Sequence, residues 1–176
     1  MYRFVPDSDM TKPVALGVNH AVLWVSDPQA SGAFYTDVLG LEIKQSSDDA
    51  VFLRSPISGN DHDLGLLRAA RQERAREGRV GLYHLAWEIP TLADLAVIRD
   101  RLDAMGALVG QSNHHVSKSL YAHDPDGNEF EVMWQVPEEL LLEGESGDLD
   151  LDAEIEQYGA HTPTRTLGLV SDRRVS

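Results

Sequence analysis

The chain has 176 residues, a length typical of one domain, and 42% of them are hydrophobic, enough for a sizeable core. The formal net charge of −14 argues against nucleic acid and anionic membrane surfaces as partners, because both repel an acidic protein. The chain contains no cysteine, so disulfides and thiolate metal sites are excluded, and a metal would have to be held by histidine and carboxylate side chains.

The sequence predicts neither a secretion signal nor a membrane anchor. Its first residues have no apolar stretch of signal-peptide length, and no run approaches the ~20 apolar residues that a membrane helix needs. A cytoplasmic protein is therefore expected. Residues 1–15 are polar and contain proline, which predicts a poorly ordered leader.

Residues 16–70 predict a βαβββ module. His20, Val22 and Trp24 alternate with apolar residues as in a strand. A helix then begins after the N-cap residue Asp27, with proline at its first position, and ends at glycine. A second strand and a hairpin around residues 55–60 complete the module.

Residues 81–136 repeat this order after a charged connector at 68–79. A strand starting at His84 is followed by a helix that opens at Thr91. The closing hairpin turns at residues 124–128, where nearly every residue favours a turn. Its second strand alternates a carboxylate face containing Glu129 and Glu131 with a wholly apolar face.

This internal duplication predicts an α+β fold in which two βαβββ modules (16–70 and 81–136) surround one shared metal cleft. His20 and His84 occupy matching positions, and aligning the Gly-Asn pair of each hairpin makes Asp63 equivalent to Glu131. Residues 137–176 form an acidic C-terminal extension. It predicts one external helix near residues 149–155, and residues 160–176 are expected to be loose.

His20, His84 and Glu131 are the candidate metal ligands. Each lies on a strand whose other face is apolar and must pack against a helix, so all three are expected to face the cleft. Two imidazoles and one carboxylate form the facial triad that suits non-haem Fe(II) and leaves open coordination positions; Mn(II) is also acceptable to these ligands.

Four stretches carry a resemblance to a known family: residues 17–20, 34–41, 81–84 and 121–131. They resemble the vicinal oxygen chelate (glyoxalase/bleomycin resistance/dioxygenase) superfamily over about residues 16–136. The run from His114 through Tyr121 to the turn at 124–128 is similar to small extradiol catechol 2,3-dioxygenases.

The resemblance implies an Fe(II)-dependent extradiol dioxygenase that uses O2 to open a catechol-like ring in aromatic compound degradation. It implies His20, His84 and Glu131 as iron ligands, Tyr121 as a hydrogen-bond partner of the substrate, and His114 as general acid/base. Many extradiol enzymes carry that histidine two residues further from the tyrosine, where this chain has Ser112. The resemblance also implies a homodimer or higher homo-oligomer.

Two other functions stay open at this point. Asp63 as a fourth ligand, or His62 after a one-residue register shift, would indicate a glyoxalase-like isomerase or lyase. A metal-free module that binds a small molecule, as in bleomycin resistance, is the second alternative.

Overall fold

The computed structural model describes residue 15, residues 17–71, residue 78 and residues 80–166. Two successive βαβββ modules confirm the predicted α+β fold. The first module consists of β1 (Ala21–Val25), α1 (Pro28–Leu39), β2 (Glu42–Ser47), β3 (Ala50–Arg54) and β4 (Leu64–Arg68). The second consists of β5 (Leu85–Glu88), α2 (Leu92–Ala104), β6 (Leu108–Asn113), β7 (Ser117–His123) and β8 (Glu129–Gln135). A 3₁₀ turn (Glu138–Leu140) and α3 (Leu151–Tyr158) follow.

Each module forms its own four-stranded sheet with the same strand order. The first sheet runs β1-β4-β3-β2 and the second runs β5-β8-β7-β6. In both, the first and last strands of the module pair in parallel, whereas the remaining neighbours are antiparallel. The internal repeat seen in the sequence is therefore a repeat of topology.

The helices begin and end where the local chemistry predicts. The Asp27 carboxylate accepts hydrogen bonds from two backbone N–H groups in the first turn of α1, and Gly40 ends that helix with a φ of +67°. The Thr91 hydroxyl accepts from the Asp94 N–H at 3.2 Å and begins α2. No helix within the described ranges is long and apolar enough to cross a membrane.

Helix α1 packs against the β7–β8 turn and so joins the two modules. The buried Tyr35 hydroxyl donates to the Asp124 carboxylate at 3.2 Å, and the Ser26 N–H donates to Asp126 at 2.9 Å. The rings of Phe34 and Phe130 meet edge to face with centroids 5.9 Å apart. These contacts hold the two sheets in a fixed relation without a hydrogen-bonded strand pair between them.

The C-terminal extension packs on the second module. Helix α3 confirms the predicted external helix, and its first residue, Leu151, is buried. The expectation of a loose tail is wrong for residues 160–166: the Thr164 N–H donates to the Pro90 carbonyl at 2.8 Å, and Thr164 is only 2% exposed. Residues 167–176, most of the predicted leader, and residues 72–77 and 79 of the connector lie outside the described residues.

Candidate active site

His84 and Glu131 lie together on the second sheet. Strands β5 and β8 pair in parallel with Ala86 opposite Glu131, so His84, just before β5, is next to the Glu131 side chain. The His84 Nε2 atom is 3.1 Å from Glu131 Oε2, and the two side chains are 23% and 11% exposed. Two ligands at 90° on an ion about 2.1 Å away would be about 3.0 Å apart, so the pair fits one metal ion.

Tyr121 and His114 extend this pair into a continuous line of polar groups. Tyr121 lies opposite Glu131 in the β7–β8 ladder, and its hydroxyl donates to Glu131 Oε1 over a long 3.5 Å. The same hydroxyl is 2.6 Å from His114 Nε2. The His114 imidazole and the Tyr121 phenol are therefore close enough to exchange a proton. The same phenol contacts the carboxylate of Glu131, a predicted metal ligand.

Tyr121 stays protonated over the whole physiological range. Its burial, followed by the negative charge of Glu131, raises its pKa to about 12. The phenol is therefore a hydrogen-bond donor at neutral pH, which suits a role in binding an oxygen atom of a substrate.

Glu129 adds a second carboxylate beside the same histidine. Its Oε1 atom is 3.8 Å from His84 Nδ1 and its Oε2 atom is 3.7 Å from His123 Nε2. His84 Nδ1 is buried and makes no hydrogen bond. Two carboxylates around His84 concentrate negative charge, and a bound cation would offset it. The alternation of Glu129 and Glu131 along one strand face was the sequence signal for this proximity.

His20 lies on the first sheet with a different set of neighbours. Its Nδ1 atom is 3.0 Å from Asn19 Oδ1, and its ring centroid is 4.6 Å from that of His62. Beyond it along β1, Val22 and Trp24 are 48% and 68% exposed. In the part of the chain that the structure describes, no three His, Cys, Asp or Glu side chains are grouped closely enough to hold a metal ion. The set of His20, His84 and Glu131 stays a prediction.

The strand registers correct the alignment of the two modules. Val22 lies opposite Gly65 in the first sheet, whereas the matching Ala86 lies opposite Glu131 in the second. Gly65, and not Asp63, is thus the counterpart of Glu131. Gly65 has no side chain that could bind a metal. A Cβ atom there would lie only 3.2–3.3 Å from the side chains of Phe52 and Val22, so there is little room for a larger residue.

Asp63 is engaged in holding the β3–β4 loop. Its carboxylate accepts from the Ser55 N–H at 2.6 Å, the Ser58 hydroxyl at 2.8 Å and the Asn60 amide at 2.7 Å. With three donors from its own loop, the Asp63 carboxylate serves to hold that loop. His62 lies between the rings of His20 and Phe52, so it neighbours the predicted ligand on the first sheet.

A cleft of about 750 Å³ separates β1 from the start of β5 and β8. Trp24 of the first module lines it, as do Tyr83, His123 and Glu129, which lie beside or in the second module. Trp134, on the face of β8 that the sequence predicted to be wholly apolar, is fully buried.

Comparison with known proteins supports one family for the whole repeat. The model of the Glyoxalase/Bleomycin resistance protein/Dioxygenase superfamily matches residues 17–132. The chain is 26% identical to a catechol-2,3-dioxygenase of Bacillus subtilis (strain 168), over 84% of this chain and 54% of that protein. It is 30% identical to a biphenyl-2,3-diol 1,2-dioxygenase of Metapseudomonas furukawaii, over 67% of this chain and 40% of that protein. The chain thus spans about half the length of these relatives.

A solved structure of a lactoylglutathione lyase from Agrobacterium tumefaciens has the same fold. The two superpose with a TM-score of 0.52 at 26% sequence identity, over 69% of this chain and 95% of the lyase.

Proposed function

The chain belongs to the Glyoxalase/Bleomycin resistance protein/Dioxygenase superfamily, and on that premise we propose that it is an Fe(II)-dependent extradiol dioxygenase of catechol-like aromatics. The observation that carries the proposal is the line of contacts from His84 through Glu131 and Tyr121 to His114. It joins a metal-ligand pair to a phenol and an imidazole that can exchange protons. The similarity to catechol and biphenyl-diol dioxygenases supports the same reaction class.

The metal would have three protein ligands: His84, Glu131 and His20. Gly65 stands where the first module would need a carboxylate to supply a fourth ligand, and Asp63 is hydrogen-bonded to its own loop. Bound iron(II) would supply adjacent open positions for both catechol oxygens and O2, and manganese(II) is compatible with the same ligands.

The chain's own residues would bind the catechol and move its protons. Tyr121, protonated at neutral pH, would donate a hydrogen bond to a substrate oxygen. His114 would act as the general acid/base for the protons of the substrate, and its Nε2 atom lies 2.6 Å from the hydroxyl of Tyr121, the residue proposed to bind a substrate oxygen.

His20 would come from a second copy of the chain. Within one chain, it contacts His62 and Asn19 on the first sheet, while His84 and Glu131 lie on the second. The face that carries it is apolar at Val22 and Trp24, which border the cleft and are still 48% and 68% exposed. In a two-fold dimer, setting this face of one copy against the His84 face of the other would complete two equal sites, because the contact is reciprocal.

The decisive experiment is anaerobic reconstitution with Fe(II), addition of alkyl- and carboxy-substituted catechols, and admission of air. We expect O2 uptake with formation of a yellow ring-opened product. His161→Ala is a matched control, since His161 is exposed in the C-terminal segment, whereas His114→Ala should lose turnover. No O2 uptake and no colour across the series would refute the dioxygenase.

The lactoylglutathione lyase fold match supports a second candidate, a glyoxalase-like isomerase or lyase. It would act on its substrate without consuming O2, and a loss of bound metal in Asp63→Asn would indicate the fourth ligand that this candidate requires. Under the dioxygenase proposal, Asp63→Asn keeps the metal content unchanged. A protein that takes up no metal at all would favour a binding module.

A further inference from the structure

A buried ion pair connects the C-terminal extension to the strand that carries Tyr121. The Lys118 ammonium of β7 is 3.1 Å from the Glu154 carboxylate of α3, and the side chains are only 3% and 12% exposed. The ammonium also lies 5.4 Å from the centroid of the Tyr158 ring. A buried pair of this kind is strongly destabilised when one partner is removed, because the other charge is then left uncompensated.

Asn113 takes part in this pair with its whole side chain. Its Oδ1 atom accepts from the Lys118 ammonium at 2.8 Å, and its Nδ2 atom donates to Glu154 at 2.8 Å. Its backbone exchanges two hydrogen bonds with Gly147, at 2.9 and 2.8 Å. Asn113 therefore ends β6 in a position dictated by the C-terminal extension.

The next three residues form a tight loop that needs this support. His115 has a φ of +66°, a left-handed conformation that is unfavourable for residues other than glycine. Its N–H donates to Asn113 Oδ1 at 2.8 Å, and a Cβ atom at Gly144 would lie 3.2 Å from its ring. The His114 N–H donates to the Ser117 carbonyl at 2.9 Å and closes the loop.

We propose that the C-terminal extension, acting through Glu154, Lys118 and Asn113, is the device that positions His114 against Tyr121. Both polar atoms of the Asn113 side chain are hydrogen-bonded. They contact Glu154 of the extension, its partner Lys118, and the backbone of the loop on which His114 lies. Asn113 and Glu154 are thus positioning residues for proton transfer. This inference rests on the proposed function, in which His114 is the acid/base.

Asn113→Ala tests the proposal, since it removes the side chain that links the Lys118–Glu154 pair to the loop carrying His114. We expect roughly a tenfold to hundredfold loss of kcat, with bound iron and KM unchanged, because general acid/base catalysis contributes about 10²–10⁴ and misplacement removes part of it. Glu156→Gln, on the exposed face of α3, is the matched control and should retain full activity.

A double variant separates positioning from general damage. In a His114→Ala background, Asn113→Ala should cause no further loss of kcat, since the two changes affect the same step. An additional loss of tenfold or more in that background, or full activity in Asn113→Ala alone, would overturn the proposal.

Imidazole ¹⁵N NMR tests the positioning independently of turnover. The His114 signals are identified by their loss in His114→Ala, and we expect Asn113→Ala to remove the signature of the hydrogen bond to Tyr121. If the dioxygenase assay fails but Asn113→Ala removes the hydrogen-bond signature of His114, the proposed function is refuted and the positioning is supported. Unchanged His114 signals in Asn113→Ala would refute the positioning itself.

Discussion

Complementation between two inactive variants tests whether the metal site is shared between copies. The His20→Ala variant keeps the two predicted ligands of the second sheet, His84 and Glu131. The Glu131→Ala variant keeps the predicted ligand of the first sheet, His20. Each variant alone should be inactive, because every site in its dimer lacks one of the three ligands. In a mixed dimer, one site receives both lesions and the other receives none.

The expected magnitude follows from the two-fold symmetry. Random pairing of equal amounts gives mixed dimers in about half of the population, so about a quarter of all sites are intact. Mixed dimers isolated by two different affinity tags should have about half of the wild-type iron content and O2 uptake. Co-expression of the tagged chains avoids any need for subunits to exchange after folding.

A matched pair of variants provides the control. His84→Ala and Glu131→Ala change two residues that lie 3.1 Å apart on one sheet, so both lesions fall in the same half of the site. This combination should restore nothing. Equal failure of both combinations, with mixed dimers recovered, would refute the shared site, as would a fully active His20→Ala variant.

Three further predictions concern single variants. Glu131→Ala should abolish iron retention, measured by metal analysis after gel filtration, because it removes the one carboxylate of the predicted ligand set. His114→Ala should keep its iron and lose roughly 10²–10⁴ in kcat, and normal turnover would show that its assigned role is wrong. Tyr35→Phe should cost about 1–2 kcal/mol in urea unfolding, because it removes a buried hydrogen bond to the Asp124 carboxylate, which keeps three other donors. Burial, and then the charge of Asp124, hold the pKa of Tyr35 well above its usual value. The contribution of Tyr35 to the free energy of unfolding is therefore complete below pH ~10 and is lost as the pH rises further. Tyr35→Phe should flatten this alkaline loss of stability, and an equal dependence of stability on pH in both proteins would contradict the assignment.

The C-terminal extension shows why some of the candidate site was beyond prediction. Its acidic composition and apolar spacing predicted a helix, and α3 confirms it. Nothing local in the sequence links Glu154 to Lys118 or Asn113, because those contacts join residues 36 and 41 positions apart. Pairing at that separation depends on how the helix docks.

The alignment of the two modules shows a similar limit. The Gly-Asn pairs in the two hairpins suggested that Asp63 matches Glu131, yet the strand registers place Gly65 there. The β3–β4 connection spans residues 55–63, whereas the β7–β8 connection spans only 124–128. The same Gly-Asn pair therefore lies at a different number of residues from the following strand in each hairpin. Register is set by pairing with β1, which the turn does not encode.

The sequence by itself determined the elements, their order and the repeat, because helix caps, turns and alternating apolar residues act over a few positions. It also placed His84 and Glu131 in one module, but their proximity comes from the parallel pairing of the first and last strands of that module, which the structure shows. Only the tertiary structure decided that His20 lies with His62 instead, and that Tyr121 connects Glu131 to His114. The physical reason is that the relation between the two sheets depends on contacts such as Tyr35 with Asp124, which are distant in sequence and are fixed only when the modules pack.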